Sequence, residues 1–471
     1  MQTDLFIGIT VALFAAYLLI GYLTSHKNIS SVDYLLAGKS LGIPAVTATL
    51  LAAQVGGGMF LGTAQNPFHG LLYILGVALG LLILGLGLAK RIRTFDVGSV
   101  GEIFEKTYQS VGLHHLTGFL STISLLGILI GQILAAKSVL LTFANIQSEL
   151  FLLFFWLGIV AYTMIGGLHT VIITDFFRII FIILIFSGIC IYSLITSPIS
   201  FFSQPNLSEI ATIFSKTDLG WTQALRIILI PAFFCLVEHD IAQKFFSART
   251  QKIASISALA ASILLVLFSF VPFYFGIQGK LLFHAHLAQG VSPLLPVLTA
   301  LTNTFFFTIA LCGLLAAITS TSDSLLCALS GLLTKPCSTL FSIQPTVFLS
   351  RMIILCAGLT TLAASYLFSE EIIEVLVDSY EISLCAIFVP FIATLFLKDF
   401  RPRAAWAGML TGITLFLLFK LPAIPHLPAQ IAQFANLFKT YAPYGTFITL
   451  FGSFIAYVMG FVFAKKQIVQ N

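Results

Sequence analysis

Charged side chains are scarce in this sequence: Asp, Glu, Lys and Arg make up 9% of its 471 residues, while 58% of the residues are hydrophobic. Soluble domains usually carry about 25% charged residues. A water-soluble fold of this composition would expose more apolar surface than water tolerates, so lipid must be the solvent of this chain. The composition therefore excludes a soluble domain.

Two other patterns are absent. The hydrophobic residues do not alternate with period two, which excludes an outer-membrane β-barrel. The seven cysteines form no CxxC pair and no metal-type spacing, so we interpret them as small buried hydrophobic residues rather than as disulfides or metal ligands. The first apolar run follows Asp4 without a basic start or a cleavage motif, which predicts a retained span and not a signal peptide.

Long apolar runs, by contrast, recur from end to end, and many approach the roughly 20 residues that a membrane-spanning helix needs. They predict an all-α polytopic membrane protein. The run 295–333 is longer than one crossing and is expected to extend into the cytoplasm. The thirteen predicted spans lie near residues 4–23, 41–66, 69–89, 113–142, 149–165, 169–195, 222–242, 254–277, 295–333, 347–368, 372–397, 403–419 and 443–464.

The positions of Lys and Arg predict how these spans are oriented. With the N-terminus outside, most of the 23 Lys and Arg residues fall on the cytoplasmic side or at that end of a span. An odd number of spans then places the C-terminus in the cytoplasm. We predict a multi-pass protein of the cytoplasmic (inner) membrane that forms a single integral membrane domain over residues 1–471.

The second predicted span contains three consecutive glycines, Gly56, Gly57 and Gly58, directly after Gln54 and Val55. Each glycine weakens a helix. A break near the membrane midplane would free backbone carbonyls for an ion or a polar solute. Close packing of two helices through small residues is the alternative, but a contiguous triplet beside a glutamine favours an unwound segment.

Five spans later, the run 222–242 contains Pro231 and then three ionisable residues, Glu238, His239 and Asp240. Ionisable groups at membrane depth are unfavourable and usually functional. The alternative is an interfacial position in which these residues pair with nearby basic side chains. A separation of five spans between two breaks is the spacing of a five-plus-five inverted repeat.

The run 295–333 also carries a dense stripe of hydroxyl groups. Ala317, Ser320, Thr321 and Ser324 recur at i, i+3, i+4 and i+7, so they share one face of a helix. A hard cation such as sodium needs several oxygen ligands at short range, and hydroxyls with freed carbonyls supply them. The hydroxyls could instead bond to carbonyls of their own helix, although the density of the cluster favours an ion site.

These motifs resemble those of the sodium/solute symporter family, whose members transport solutes such as glucose, proline, sialic acid, pantothenate and choline. The resemblance covers about residues 30–400. It rests on the segments 317–324 and 166–175, on Gln243-Lys244, and on the first-break segment from Val55 to Ala64, which is most similar to the choline-transporter branch.

The resemblance implies a leucine-transporter-type fold of about 13 transmembrane helices with a five-plus-five inverted-repeat core. The first repeat would comprise residues 41–195 and the second residues 222–397. An extra N-terminal helix within 1–30 and two extra C-terminal helices within 398–471 would flank this core.

The resemblance also implies the ion ligands. The family's main sodium site uses carbonyls of the first broken helix with a carbonyl and two hydroxyls of the eighth core helix. The matching residues are Ala52, Val55, Ala317, Ser320 and Thr321. Some members bind a second sodium, for which the matching residues are Asp175, Ser320, Asp323 and Ser324. Arg178 lies one turn from Asp175, so a plain ion pair is the alternative there.

The solute pocket departs from the choline branch. Gln54 and Glu238 stand where that branch has aromatic residues, which argues against choline because an aromatic cage recognises its quaternary ammonium. These two residues favour a solute with several hydrogen-bonding groups. Met59 matches a pocket position of the sugar-transporting members, and Gln132 is a further candidate for solute binding.

The sequence thus predicts a sodium-coupled symporter that imports a small polar organic solute by alternating access, with sodium as the coupling ion and no other cofactor. We expect no enzymatic activity, no nucleic-acid partner and no obligate protein partner. The alternatives are a proton-coupled transporter of the same fold, a transporter-like membrane sensor and a channel. A metal enzyme using His284 and His286, or His114 and His115, is disfavoured, because both pairs are expected in polar loops without an acidic companion.

Overall fold

The computed structural model describes residues 2–25, 30–144, 149–196, 220–283, 292–368, 372–420, 438–439 and 441–463. Apart from one isolated bridge between Leu41 and Ala248, the regular structure in these ranges is helical, which confirms the predicted all-α class. His284 and His286, named above as candidates for a metal site, lie outside the described residues. The expectation for His114 is wrong, because this residue is buried in a helix and its Nδ1 lies 2.5 Å from Glu105 Oε2.

Seventeen helices follow one another in the described ranges. They are α1 (Gln2–Ser25), α2 (Ser31–Leu36), α3 (Ile43–Gln54), α4 (Gly58–Gln65), α5 (Pro67–Thr94), α6 (Val100–Tyr108), α7 (Val111–Ala144), α8 (Glu149–Thr196), α9 (Trp221–Val237), α10 (His239–Ser247), α11 (Gln251–Phe283), α12 (Leu294–Leu301), α13 (Thr304–Leu340), α14 (Val347–Ser365), α15 (Ile372–Phe396), α16 (Pro402–Lys420) and α17 (Gly445–Phe463).

Ten of these helices are by themselves long and apolar enough to cross a membrane, and the bent pair α3 and α4 makes an eleventh candidate. Helix α8 has 48 residues and is about 72 Å long, more than twice the roughly 30 Å of a bilayer core. Its backbone leaves the helical region at Gly167, where φ is 60° and ψ is −159°. The predicted spans 149–165 and 169–195 lie on either side of this residue. The total of thirteen spans stays a prediction.

One predicted span is interrupted. The run 295–333 was expected to be continuous, but α12 ends at Leu301 and α13 begins at Thr304. Asn303 makes this break, because its side chain accepts a hydrogen bond from the Phe306 N–H (3.0 Å) and so caps the new helix. Helix α13 then continues to Leu340, seven residues beyond the predicted end.

Helix α13 lies at the centre of the protein. In its most apolar window 78% of the residues are buried, compared with 22% in α1 and 17% in α17. Helices α7, α8 and α14 pack along it, and both α3 and α10 contact it. The helix that carries the hydroxyl stripe is therefore the central helix of the protein. Its neighbours α3 and α10 adjoin the two predicted helix breaks.

Candidate functional site

The first predicted break is present. Helix α3 ends at Gln54, the backbone of Val55 is non-helical (φ −85°, ψ 64°), and α4 leaves at an angle of 48°. A Cβ atom on Gly56 would lie 2.5 Å from Thr321 Oγ1, and one on Gly57 would lie 2.5 Å from Ala135 Cβ. The glycines therefore serve both roles considered from the sequence, because the segment is unwound and also packs closely on its neighbours.

The second predicted break lies at Glu238. Its backbone is extended (φ −65°, ψ 126°) between the end of α9 at Val237 and the start of α10 at His239. Glu238, His239 and Asp240 are all buried, with 7%, 1% and 1% of their surface exposed. His239 accepts a hydrogen bond from the Val100 N–H at Nδ1 (3.4 Å). These ionisable groups are therefore inside the protein and not at its surface.

The hydroxyls of α13 meet the end of α3. Ser320 Oγ lies 2.9 Å from the Ala317 carbonyl oxygen and 3.2 Å from that of Ala52. Thr321 Oγ1 lies 3.1 Å from the Ala53 carbonyl oxygen and 3.4 Å from that of Ala317. Four of the five residues predicted to bind the main sodium thus converge. The fifth, Val55, is fully buried at the break itself.

These oxygens suit a sodium ion. Sodium is close in size to Ca²⁺, whose oxygen ligands lie at about 2.3–2.6 Å. Neighbouring oxygens of an octahedral shell of that size are about 3.4 Å apart, and the spacings of 2.9–3.4 Å between the hydroxyl and carbonyl oxygens approach this value. All of these ligands are neutral, so the ion itself would bring the only charge.

The residues proposed for a second sodium form a charged cluster instead of a ring of free oxygens. Arg178 donates from one Nη atom to Asp323 Oδ2 (2.6 Å) and lies 3.7 Å from Asp175 Oδ1. Tyr162 also donates to Asp323 Oδ2 (2.6 Å), and Thr49 donates to Asp175 Oδ2 (2.6 Å). The ion pair considered as the alternative at Asp175 is therefore present, with Asp323 as its closer member.

Ser324, the remaining residue of that set, contacts a different pair. Its hydroxyl lies 3.0 Å from Asp240 Oδ1 and 2.8 Å from Lys244 Nζ. Lys244 in turn donates to Asp240 Oδ1 at 2.6 Å. Both charged residues are almost fully buried. Asp240 therefore pairs with Lys244, as the interfacial alternative proposed, but the pair lies in the protein interior.

A small cavity of about 20 Å³ lies between the two breaks. All four residues predicted to bind solute line it: Gln54, Met59, Gln132 and Glu238. Gln132 also supports the first break, because its Oε1 accepts a hydrogen bond from the Gly57 N–H (3.0 Å). Thr321 lines the same cavity, so the cavity and the candidate ion site share a wall.

The sequence reasoning missed an aromatic wall of this cavity. Tyr73 and Tyr380 line it, and their hydroxyls are 2.6 Å apart. Phe234 stacks on Tyr380 with ring centroids 4.2 Å apart. Tyr380 could have been found, because it lies in the polar segment Asp378-Ser-Tyr-Glu381 inside an apolar span. Tyr73 has no comparable signal.

A second charged network was also missed, beside that segment. Arg226 donates to Asp378 (2.6 Å) and to Glu381 (2.9 Å). Lys420 lies 2.9 Å and 3.0 Å from the same two carboxylates, and Thr446 donates to Glu381 (2.7 Å). The network joins α9, α15, α16 and α17 next to Tyr380.

Comparison with known proteins assigns this architecture. A family model described as the sodium:solute symporter family matches residues 34–412. The osmoregulated proline transporter OpuE of Bacillus subtilis (strain 168) is 33% identical over 180 residues, which is 35% of the chain and 35% of that relative.

Two solved structures share the fold over nearly the whole chain. A Na⁺-coupled sialic acid symporter in a substrate-bound outward-open state superposes with a TM-score of 0.75 at 18% identity, covering 99% of each chain. Mhp1, a nucleobase-cation-symport-1 family transporter with bromovinylhydantoin bound, superposes with a TM-score of 0.61 at 13% identity, covering 92% of this chain and 95% of Mhp1.

Proposed function

The chain belongs to the sodium:solute symporter family, and on that premise we propose that it imports a small organic solute that carries an ammonium group or several hydroxyl donors. The coupling ion of this family is sodium, and the chain is a secondary transporter and not an enzyme. Its polytopic helical fold with an inverted-repeat core is that of the leucine-transporter-type symporters.

The coupling sodium binds where α13 meets the end of α3. Its proposed ligands are the carbonyl oxygens of Ala52, Val55 and Ala317 and the hydroxyls of Ser320 and Thr321. The carbonyl–hydroxyl spacings of 2.9–3.4 Å support this assignment. A hydroxyl that now donates to a carbonyl can turn its proton away and offer a lone pair to the ion, because hydroxyl rotors adapt to their partners.

The proposed class of solute rests on Glu238. Its carboxylate is 93% buried and faces the cavity. The buried cation near it, Lys244, is already hydrogen-bonded to Asp240 and Ser324. A buried carboxylate needs a positive or hydrogen-donating partner, and a solute ammonium or a set of hydroxyls supplies one. Tyr73 and Tyr380, which line the same cavity, add a pair of hydroxyls 2.6 Å apart.

Gln54 and Gln132 contribute the remaining polar contacts. Because the Oε1 atom of Gln132 is engaged by Gly57, its amide N–H groups are left to donate to a solute oxygen. Met59 forms an adaptable apolar surface beside them. An amino acid combines an ammonium with a carboxylate, and the relative OpuE transports proline. Zwitterionic amino acids are therefore the first compounds to screen.

The transport cycle follows from the position of the two sites. Sodium holds α3 to α13, and the cavity lies beside Thr321 between the two breaks. At about 2.3 kcal/mol per charge per 100 mV and about 1.4 kcal/mol per tenfold gradient, one sodium supplies about 3.7 kcal/mol. That free energy supports a few-hundredfold accumulation of a neutral solute.

The membrane arrangement completes the proposal. The protein lies in the cytoplasmic membrane with its N-terminus outside and its C-terminus in the cytoplasm, as the Lys and Arg distribution favours. Residues 41–195 and 222–397 form the two repeats, which alternately open the cavity to either side. Residues 1–30 and 398–471 supply the flanking helices.

The test is uptake into proteoliposomes that contain the purified protein. A thermal-shift screen of amino acids, sugars, carboxylates and amines, with and without sodium, first identifies a ligand. Uptake of that ligand should require an inward sodium gradient and should stop when sodium is replaced by potassium. Sodium-independent uptake driven by a proton gradient would favour proton coupling, and downhill flux without accumulation would indicate a channel.

A further inference from the structure

The residues that match a second sodium site surround two cations that belong to the protein. Arg178 is 2% exposed, donates to Asp323 Oδ2 and to the Tyr162 hydroxyl (2.9 Å), and lies over the ring of Tyr17 at 4.1 Å. It also lies 3.7 Å from Asp175 Oδ1. The guanidinium therefore provides the positive charge that an ion between these carboxylates would provide.

Lys244 contacts Ser324, the remaining residue of the predicted second sodium site. Its ammonium is 1% exposed and donates to Asp240 Oδ1 and to Ser324 Oγ. An ammonium is a compact point charge with three donors, so it competes directly with sodium for the Ser324 hydroxyl. Every residue expected to form the second site, apart from the shared Ser320, is thus in contact with a protein cation or with its counter-ion.

The two cations oppose a second ion directly. Asp175, Asp240 and Asp323 are each at most 1% exposed, and Arg178 and Lys244 are the cations that contact them. A sodium between Asp175 and Asp323 would lie beside the Arg178 guanidinium, and one at Ser324 would lie beside the Lys244 ammonium. Like charges this close in a low-dielectric interior repel strongly.

We propose that Arg178 and Lys244 take the place of a second sodium and fix the stoichiometry at one sodium ion per transport cycle. This inference rests on the proposed main sodium site. Two carboxylate oxygens, Asp175 Oδ1 and Asp323 Oδ1, are buried without a hydrogen-bond partner. They are the ligands that a second sodium would acquire once a protein cation is removed.

The experiment measures bound ²²Na⁺ per chain on the purified protein at saturating sodium, with Arg178→Gln as the test variant. The parent should bind one sodium per chain, and Arg178→Gln should bind two, because the cluster then lacks one positive charge. Arg226→Gln is the matched control: it removes an arginine that is also paired with two carboxylates, but on the far network of α9 and α15. It should bind one.

A charge-balanced variant keeps the test decisive if Arg178→Gln does not fold. Arg178→Gln combined with Asp323→Asn removes one charge of each sign and should bind one sodium. Two ions in the parent, or one ion in a folded Arg178→Gln, would overturn the inference. No saturable sodium binding in the parent would instead contradict the proposed function, so the two failures are distinguishable.

Discussion

Two groups of oxygens lie about one turn apart on α13, and they are built on opposite principles. Around Ser320 and Thr321 the oxygens are neutral hydroxyls and carbonyls, and a helix break has freed part of them. Around Asp323 the oxygens are carboxylates, and Arg178 lies between them. A site that must bind and release an ion in every cycle uses the first arrangement, since no protein cation competes there. The second arrangement holds α8 and α13 together.

Breaking the charged cluster should have the largest effect. Asp323→Asn leaves Asp175, at 3.7 Å, as the remaining anionic contact of the buried Arg178. Removing one partner of a buried ion pair costs about 3–5 kcal/mol. We expect a large drop in melting temperature and in the monodisperse fraction after purification. Combining Asp323→Asn with Arg178→Gln should recover part of the loss, because both charges of the closer pair are removed together and Asp175 keeps its hydrogen bond from Thr49. A double variant as unstable as the single one would show that side-chain packing, and not the unpaired charge, causes the loss of stability.

Removing a hydroxyl from the neutral site should affect sodium but not folding. Ser320→Ala and Thr321→Ala each delete one ligand oxygen and retain the helix, since alanine is the best helix former. A hydrogen bond to a charged group contributes about 1.5–3 kcal/mol, so the sodium concentration for half-maximal uptake should rise about 10- to 100-fold. The measurement is sodium-dependent uptake in proteoliposomes.

Ser322→Ala is the matched control for these two variants. Its hydroxyl belongs to the same stripe but bonds to the Ile318 carbonyl of its own helix at 2.7 Å. Its sodium dependence should equal that of the parent. If Ser320→Ala and Thr321→Ala also behave like the parent, their hydroxyls serve only the backbone, and the ion site must be sought elsewhere.

Removing the charge of Glu238 should alter the solute pocket and spare the ion site. Glu238→Gln keeps the size of the side chain but loses the anion, so solute affinity should fall about tenfold, or roughly 1.4 kcal/mol. Sodium should still raise the melting temperature, because a ligand that binds only the folded state stabilises it by mass action. Glu149→Gln, at the start of α8, is the control. Unchanged solute affinity would place Glu238 outside the binding surface.

How much of this site could be predicted from the sequence depends on the kind of signal. The two breaks were predictable because three glycines, or three ionisable residues, are locally unusual inside an apolar run. Family motifs predicted the residues that converge where Ser320 and Thr321 meet the end of α3, and three of the four predicted solute residues that line the cavity. Gln132 was named as a polar residue within a span, and solute binding by all four stays a prediction. The interruption at Asn303 was missed, because a single capping residue hardly changes the hydropathy of a long run.

The charge pairs were harder to foresee. Arg226 and Glu381 are 155 positions apart, and Arg178 and Asp323 are 145 apart. No periodicity connects residues on different helices, so only the fold brings them together. Arg178 and Asp175 are neighbours on one helix and their pairing was considered, but the closer partner is the remote Asp323.

The smallest effect on stability is expected at a solvent-exposed ion pair. Asp96, between α5 and α6, lies 2.6 Å from Lys39 and 3.2 Å from Arg93, and its side chain is 66% exposed. The hydrogen bond from Lys39 lowers the pKa of Asp96. A depressed carboxyl pKa contributes stability at neutral pH that is lost as pH falls through the folded-state pKa, below the ordinary value of about 3.9.

Asp96→Asn tests this without backbone strain, since asparagine tolerates the left-handed φ of 50° found here. It should lower stability by no more than about 1 kcal/mol at pH 7, and the difference in melting temperature from the parent should shrink as pH falls below the ordinary carboxyl pKa of about 3.9. A loss as large as that of Asp323→Asn would mean that water does not screen this pair, and that burial is not what separates the two kinds of charge.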